Sequence, residues 1–364
     1  MKKIIIAALA FLFISQFAQS QGCVAIRSTG AICTRQEANQ NSTGGWQLNT
    51  SYRFFKSFRH YVGKDEQKIR VEQGTDVRNW QHSMNLTLVR QFNNRWSMTL
   101  DVPVLSNTRS SKYEHYGNSS TSPNARRSTR AFGLGDIRVA GNYWLLNPAK
   151  SMKGNIQVGL GIKFATGNYK VQDFFYKNDT TAILGPVDQS IQLGDGGTGF
   201  TTEINAYYNF NHQFGVYGNF YYLINPTEQN GVSTARGGIP SATAIKFGTS
   251  TMSVPDQYMI RAGGNYNLNR FTASAGVRME GIPSEDLIGG SSGFRRPGYV
   301  ISAEPSVSYR FKSITAFAAV PIALERNRTQ SNSDKLRTAA DGIPVHGDAA
   351  FADYSINFGL VIKL

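Results

Sequence analysis

The feature that most restricts how this chain can fold is an odd-even segregation of side chains that returns from Gly45 to Leu364. At the C-terminus Tyr354, Ile356, Phe358, Leu360, Ile362 and Leu364 share one parity, while Asp353, Ser355, Asn357, Gly359 and Lys363 share the other. A period of two belongs to an extended strand, whose successive side chains leave opposite faces of a sheet. The same alternation sets Trp96, Met98, Leu100, Val102 and Val104 against Ser97, Thr99 and Asp101, and Phe271, Ala273, Ala275, Val277 and Met279 against Thr272, Ser274, Arg278 and Glu280. It predicts twelve strands, near 45–57, 76–92, 95–109, 131–146, 154–169, 199–210, 213–226, 256–268, 271–284, 298–311, 314–327 and 349–364.

The connections narrow the fold further, because they alternate between short and long. Asn93-Asn94, Asn147 to Lys153, Asn211-His212, Asn269-Arg270 and Lys312-Ser313 have the chemistry of tight turns. Six longer polar segments lie between them, near 58–75, 110–130, 170–198, 227–255, 285–297 and 328–348. A soluble sandwich or propeller also alternates apolar and polar residues, but it has no reason to keep every other link tight. The fold class expected is therefore all-β: a transmembrane antiparallel β-barrel of about twelve strands, with short periplasmic turns and long extracellular loops. Trp46, Trp96, Tyr143, Phe210, Phe214, Phe271, Tyr309 and Phe311 fall at the periplasmic ends of the outward faces, as an interfacial aromatic girdle requires. Trp144 points the other way by parity and does not fit that girdle.

The first residues agree with such a destination. Met1-Lys2-Lys3 precedes an apolar run from Ile4 to Ile14, and Ala18-Gln19-Ser20 supplies small residues for cleavage, so residues 1–20 read as a signal peptide. That run is too short to span a bilayer, and no later stretch is long and apolar enough for a membrane helix. Residues 21–44 read as a periplasmic segment or small plug, and 45–364 as the barrel. Cys23 and Cys33 are the only cysteines, and in an oxidising periplasm they suggest one disulfide. The formal net charge of +14 often points to nucleic acid. An exported barrel turns that charge instead toward lipopolysaccharide phosphates or anionic solutes, with the cell outer membrane of a Gram-negative cell as its place and its lipid as partner.

With the outward faces assigned, the other parity lists the lumen. Near mid-strand it holds Asp101, Arg138, Lys163, Glu203, Arg261, Arg278, Glu280 and Glu304. A twelve-stranded barrel lies between the filled eight-stranded and the open sixteen-stranded kinds, so these charges read either as a selective constriction or as a self-satisfied polar core. On the first reading, replacing Arg261 and Arg278 with Ala should change anion preference. Pro103 and Pro321 interrupt strands that have no free edge, and each should mark a bulge or a local break in pairing, with a lateral gap as a functional possibility.

No catalytic, cofactor or metal site is expected. Gly289-Gly290-Ser291-Ser292-Gly293 matches G-x-S-x-G without a strand-to-helix elbow, and Gly194 to Gly199 matches G-x-G-x-x-G ahead of a strand rather than a helix. His60, His82, His115, His212 and His346 are scattered without metal-ligand spacing. The basic stretch with Arg109, Lys112, Arg126, Arg127 and Arg130 could hold lipopolysaccharide phosphates or could simply be solvated.

Phe132-Gly133-Leu134-Gly135-Asp136-Ile137, Tyr143 to Leu146, Gly159 to Gly167, Gln192 to Gly197 and the two Val-Pro strand segments resemble a family of outer-membrane transporters named for the meta-cleavage pathway of phenol degradation. Ala165 stands where that family usually has proline. The resemblance implies a transmembrane barrel acting as a transporter, loosely similar to barrels that take up hydrophobic aromatic or fatty compounds, and it brings no catalytic residues. The functional reading is passive passage of a small solute, hydrophobic or anionic; the alternative is a structural, assembly or surface-interaction barrel with a closed lumen.

Overall fold

The computed structural model describes residues 44–115 and 117–364. The expected signal peptide (1–20), the expected N-terminal segment (21–44) except its last residue, and the Cys23 and Cys33 pair lie outside the described residues. Twelve antiparallel strands form the wall: β1 (Gly45–Val62), β2 (Arg78–Gln91), β3 (Trp96–Lys112), β4 in two parts (Arg126–Leu134 and Arg138–Trp144), β5 (Gly154–Lys163), β6 (Gly199–Asn209), β7 (Phe214–Ile224), β8 (Gln257–Leu268), β9 (Phe271–Ile282), β10 (Gly298–Arg310), β11 in two parts (Ile314–Ala319 and Ile322–Asn327) and β12 (Ala349–Lys363). Each pairs with its neighbours in sequence, and β12 returns to β1 with Gln47 opposite Lys363 and Phe54 opposite Ile356, which closes the ring. All twelve expected strands are present in the expected order.

Local chemistry fixes the tight ends. In the β2–β3 turn the Asn93 side-chain oxygen accepts the N–H groups of Arg95 at 2.8 Å and Trp96 at 2.9 Å. Asn211 repeats the device between β6 and β7, accepting from Gln213 at 2.8 Å and Phe214 at 2.7 Å. Asn269, between β8 and β9, takes a positive φ of 54°, which asparagine tolerates better than most side chains.

The two faces separate as the parity demands. Leu160 is 72% exposed on the outside, and Met98, Leu100, Ile156, Ile260, Val277 and Phe358 join it. Buried polar groups, including Glu280, Ser302 and Asn219, occupy the interior. An apolar exterior around a polar interior is the inverse of a water-soluble protein and fits hydrocarbon outside. Trp46, Trp96, Phe210, Phe214, Phe271, Tyr309 and Phe311 are exposed around the short-turn end, with Trp96 and Tyr143 ring centres 4.5 Å apart. Trp144 is buried inside, against Tyr207. Leu160→Arg is expected to cost about 2–4 kcal/mol of membrane-folded stability. Denaturant titration in lipid vesicles checks this, and an unchanged midpoint would deny lipid contact at that face.

Several strands outrun their expected limits at the long-loop end, β1 reaching Val62 and β3 reaching Lys112, while β5 stops at Lys163, short of the expected 169. Beyond the hydrocarbon layer a strand no longer has an apolar side to mark it, so backbone pairing continues after the alternation has faded. The proline sites differ from each other. At Pro103 the register with β2 is continuous, Asn85 facing it. On the other side Asp101 pairs with Arg138 and Val104 with Leu134, so three residues of β4 oppose two of β3 and the strand bulges. At Pro321 pairing lapses for two residues without a register change, since Ala319 faces Ser306 and Ile322 faces Ala303.

Candidate functional site: lumen, mouth and wall seam

The barrel encloses a cavity of about 290 Å³. Its wall carries four acidic residues, Asp101, Asp136, Asp195 and Glu203, and four basic ones, Arg138, Lys163, Arg261 and Lys363. The eight charged residues singled out from the sequence do not form one ring; the structure sorts them into three groups. In the first, Arg138 on β4 donates to Asp101 on β3 through Nε at 2.9 Å and contacts Glu203 on β6, while Thr87 on β2 bonds Asp101 at 2.5 Å. In the second, Arg278 Nη2 lies 2.6 Å from Glu280, and Arg53 on β1 reaches across to the same carboxylate at 2.8 Å. Since β10, β11 and β12 lie between β9 and β1 around the ring, this bridge crosses the lumen as a chord and walls off that sector. Arg261 completes the group through Glu304 at 3.2 Å and Asn219 Oδ1 at 2.9 Å. In the third, Lys163 sits between Asp195 and Asp136, the latter at 3.7 Å.

Asp101, Arg138, Lys163, Glu203 and Arg261 therefore touch the cavity, whereas Arg278, Glu280 and Glu304 are buried behind it. Arg278 is paired with Glu280 away from the cavity surface, which leaves it no direct part in an anion filter. Arg53 belongs to the same network but was not singled out from the sequence, although its parity in β1 would have found it.

The long-loop end is covered by residues 187–198, which fold inward. Val187, Ile191 and Leu193 are buried with Leu105 and Ala131, and Gln81 and Asn107 on the wall donate to the carbonyls of Ser190 at 2.9 Å and Ile191 at 3.2 Å. Asp188 fastens this cap. Arg296 meets it at 2.8 Å, Arg236 at 3.1 Å and Arg109 at 3.6 Å, and Glu114 lies against Arg109 and Arg236. Burial pushes the Asp188 carboxyl up, but the three guanidiniums outweigh it and hold the group well below the usual carboxylate range. No sequence signal distinguished Asp188, because its partners come from three separate loops or strand ends.

Beneath the cap lies the β4 bulge. The Asp136 carboxylate accepts the N–H of Gly167 at 2.9 Å and of Asp195 at 3.1 Å; Thr166 Oγ1 accepts from Ile137 at 2.8 Å and donates to Gly135 O at 3.1 Å. Gly194 is obligatory here, since a Cβ would stand 2.5 Å from Gly167 O and 2.6 Å from Asp136 Oδ1. Three sequence stretches that carried the family resemblance, around Gly135, Gly167 and Gly194, thus converge on one seam in the wall. The outer part of β4, Arg126–Leu134, pairs with β3 along one edge, and β5 has ended before it could pair with the other.

The remaining sequence features take structural places. Of the basic stretch, Arg109 is spent on the cap, Arg126 pairs with Asp76 at 2.8 Å and Arg127 with Asp179 at 3.8 Å, while Arg130 is exposed. Gly289, Gly290 and Gly293 all have positive φ in a loop where Ser291 Oγ accepts the Asp286 N–H at 2.9 Å, and Gly196 has φ 85°. His60 lies 2.8 Å from Asp348 and accepts the Val77 N–H at 2.9 Å, and His82 touches Tyr52.

No protein-family model matches the sequence, and no curated protein matches it either. Among solved structures, an outer membrane channel from Pseudomonas putida F1 superposes with a TM-score of 0.55 at 13% identity, covering 94% of this chain and 100% of that one. That likeness places the fold among transmembrane β-barrels, as the resemblance implied. The P. putida toluene transporter TodX gives 0.43 at 11% identity over 91% of this chain and 92% of its own, and the monoaromatic hydrocarbon channel CymD gives 0.42 at 10% over 93% and 95%. These two superpose too loosely to bear on details.

Proposed function

We propose that the chain is a passive outer-membrane channel for small solutes, with its lumen as the route and residues 187–198 as the cap. The observation that carries this reading is a 290 Å³ cavity running inside a closed, lipid-faced wall beneath a loop held by side chains rather than by strand pairing. A barrel that served only as a surface scaffold would have no need of a separable cap over a cavity. Acidic and basic residues balance on the cavity wall, and three of its four basic members, Arg138, Lys163 and Arg261, are ion-paired. Reversal potentials in a KCl gradient are therefore expected near zero, with Arg261→Met shifting the channel toward cations because Glu304 loses its partner. Strong anion selectivity in the unmodified protein would contradict the pairing argument.

A lateral route is a second reading, favoured by the outer part of β4, which has no strand partner along one edge, where Asp173 takes the Arg130 N–H at 2.8 Å, beside the exposed Phe132 and Leu134. The seam is closed by Asp136, Thr166 and Lys163, so an apolar solute leaves through the wall only when those bonds part. Lys163→Met should speed exchange of an apolar fluorescent probe between lumen and bilayer, and an unchanged rate leaves the axial route alone.

A further inference from the structure

The short-turn half of the cavity has a chemistry of its own, distinct from the charged layer above it. Carboxamides recur on its wall, among them Asn142, Gln157, Asn205 and Asn219. Three of them form a directed ladder across neighbouring strands. Arg261 Nε donates to Asn219 Oδ1 at 2.9 Å, Asn219 Nδ2 donates to Asn205 Oδ1 at 2.7 Å, and Asn205 Nδ2 donates to Gln157 Oε1 at 3.2 Å. Because a guanidinium can only donate, the sense of every amide in the ladder is fixed. Each amide then keeps an N–H and a carbonyl lone pair for another partner.

One further group on this wall is buried without a protein hydrogen-bond partner, the donor Trp144 Nε1. Trp144 faces Gln157 in the strand pairing, and Gln157 faces Asn205, so the indole continues the row of amides. Trp144 is only 2% exposed and packs edge-on against Tyr207, their ring centres 5.9 Å apart, which holds the indole in place. A buried polar atom left without a partner is destabilising. A partner that is both donor and acceptor at several positions answers the spare N–H groups and lone pairs of this row together. Hydroxyl groups have that property, a carboxylate only accepts, and a hydrocarbon offers neither.

We infer that the lower lumen is a binding vestibule for a neutral, multiply hydroxylated solute of about monosaccharide size, with Trp144 and Asn205 as specificity-determining residues. This rests on the channel reading only for how the solute arrives, since binding can be measured without passage.

Glucose serves as the probe, with gluconate and benzoate as the anionic and apolar comparisons. Glucose added to the detergent-solubilised full chain is expected to change tryptophan fluorescence saturably, with affinity on the order of ten-fold weaker in Trp144→Phe and in Asn205→Leu. Trp144→Phe keeps an aromatic ring in the wall while removing the N–H, and unaltered heat-dependent gel mobility shows that a variant is folded. In these variants glucose binding is also read by calorimetry, so that loss of the fluorophore is not mistaken for loss of affinity. No saturable glucose signal, equal affinity for benzoate, or unchanged affinity in both folded variants would overturn the inference. Conductance without glucose binding would defeat the vestibule and spare the channel; glucose binding in a barrel that never conducts would do the reverse.

Discussion

Asp188→Asn is expected to free residues 187–198 from the mouth of the barrel. The substitution removes the charge that Arg109, Arg236 and Arg296 surround, and Arg109 is almost wholly buried. Deleting one partner of a buried ion pair typically costs about 3–5 kcal/mol, because the remaining charge stays desolvated. Glu114 can compensate only part of this, already lying against two of the three guanidiniums. Amide hydrogen exchange across the cap should accelerate by roughly a hundred-fold or more, while β6 and β7 keep their protection. Mild acid should not imitate the mutation. A carboxylate with a depressed pKa contributes stability above its unfolded value near 4, and that stability is lost only as pH falls toward the lower folded value. Opening of the cap at pH 5 would contradict the arrangement around Asp188.

Glu280→Gln should produce the largest loss of barrel stability. Glu280 is fully buried between Arg53 and Arg278, and it supplies the bridge that spans the lumen from β9 to β1. Without it two guanidiniums face each other with an amide between them. The expected cost is about 3–5 kcal/mol, seen as a lower denaturant midpoint in detergent micelles or vesicles. Replacing Arg53, Glu280 and Arg278 together by Met should recover most of that loss, since an apolar cluster leaves no charge to solvate. A stable single variant, or a triple variant worse than the single one, would show that the bridge carries less than its burial indicates.

The barrel itself was legible in the sequence because lipid writes a period of two on every spanning strand. Leu160 and Phe358 must be apolar, while their neighbours Gly159, Gly161, Asn357 and Gly359 face the interior. The tight turns were legible for a local reason, in that Asn93 and Asn211 cap their own backbones. Strand ends were less so, since β1 and β3 continue into water where neither face is obliged to be apolar. Parity found the inward charges but not their grouping. Whether Arg278 meets the cavity or lies behind it depends on Arg53, which is distant in sequence and brought close by closure of the ring. The cap was the least legible part, because a loop that folds inward is recorded only by long-range pairs such as Arg296 with Asp188. Family-like glycine stretches marked the seam without revealing why: Gly194 and Gly167 are small because two chain segments touch there.

Single-channel recording across planar bilayers, on the unmodified chain and on Asp188→Asn side by side, bears most directly on the claim that solute passes through a capped lumen. Small, weakly ion-selective currents that grow when the cap is released are the expected result. Bilayers that stay sealed with the variant, while hydrogen exchange shows its cap undocked, would contradict it.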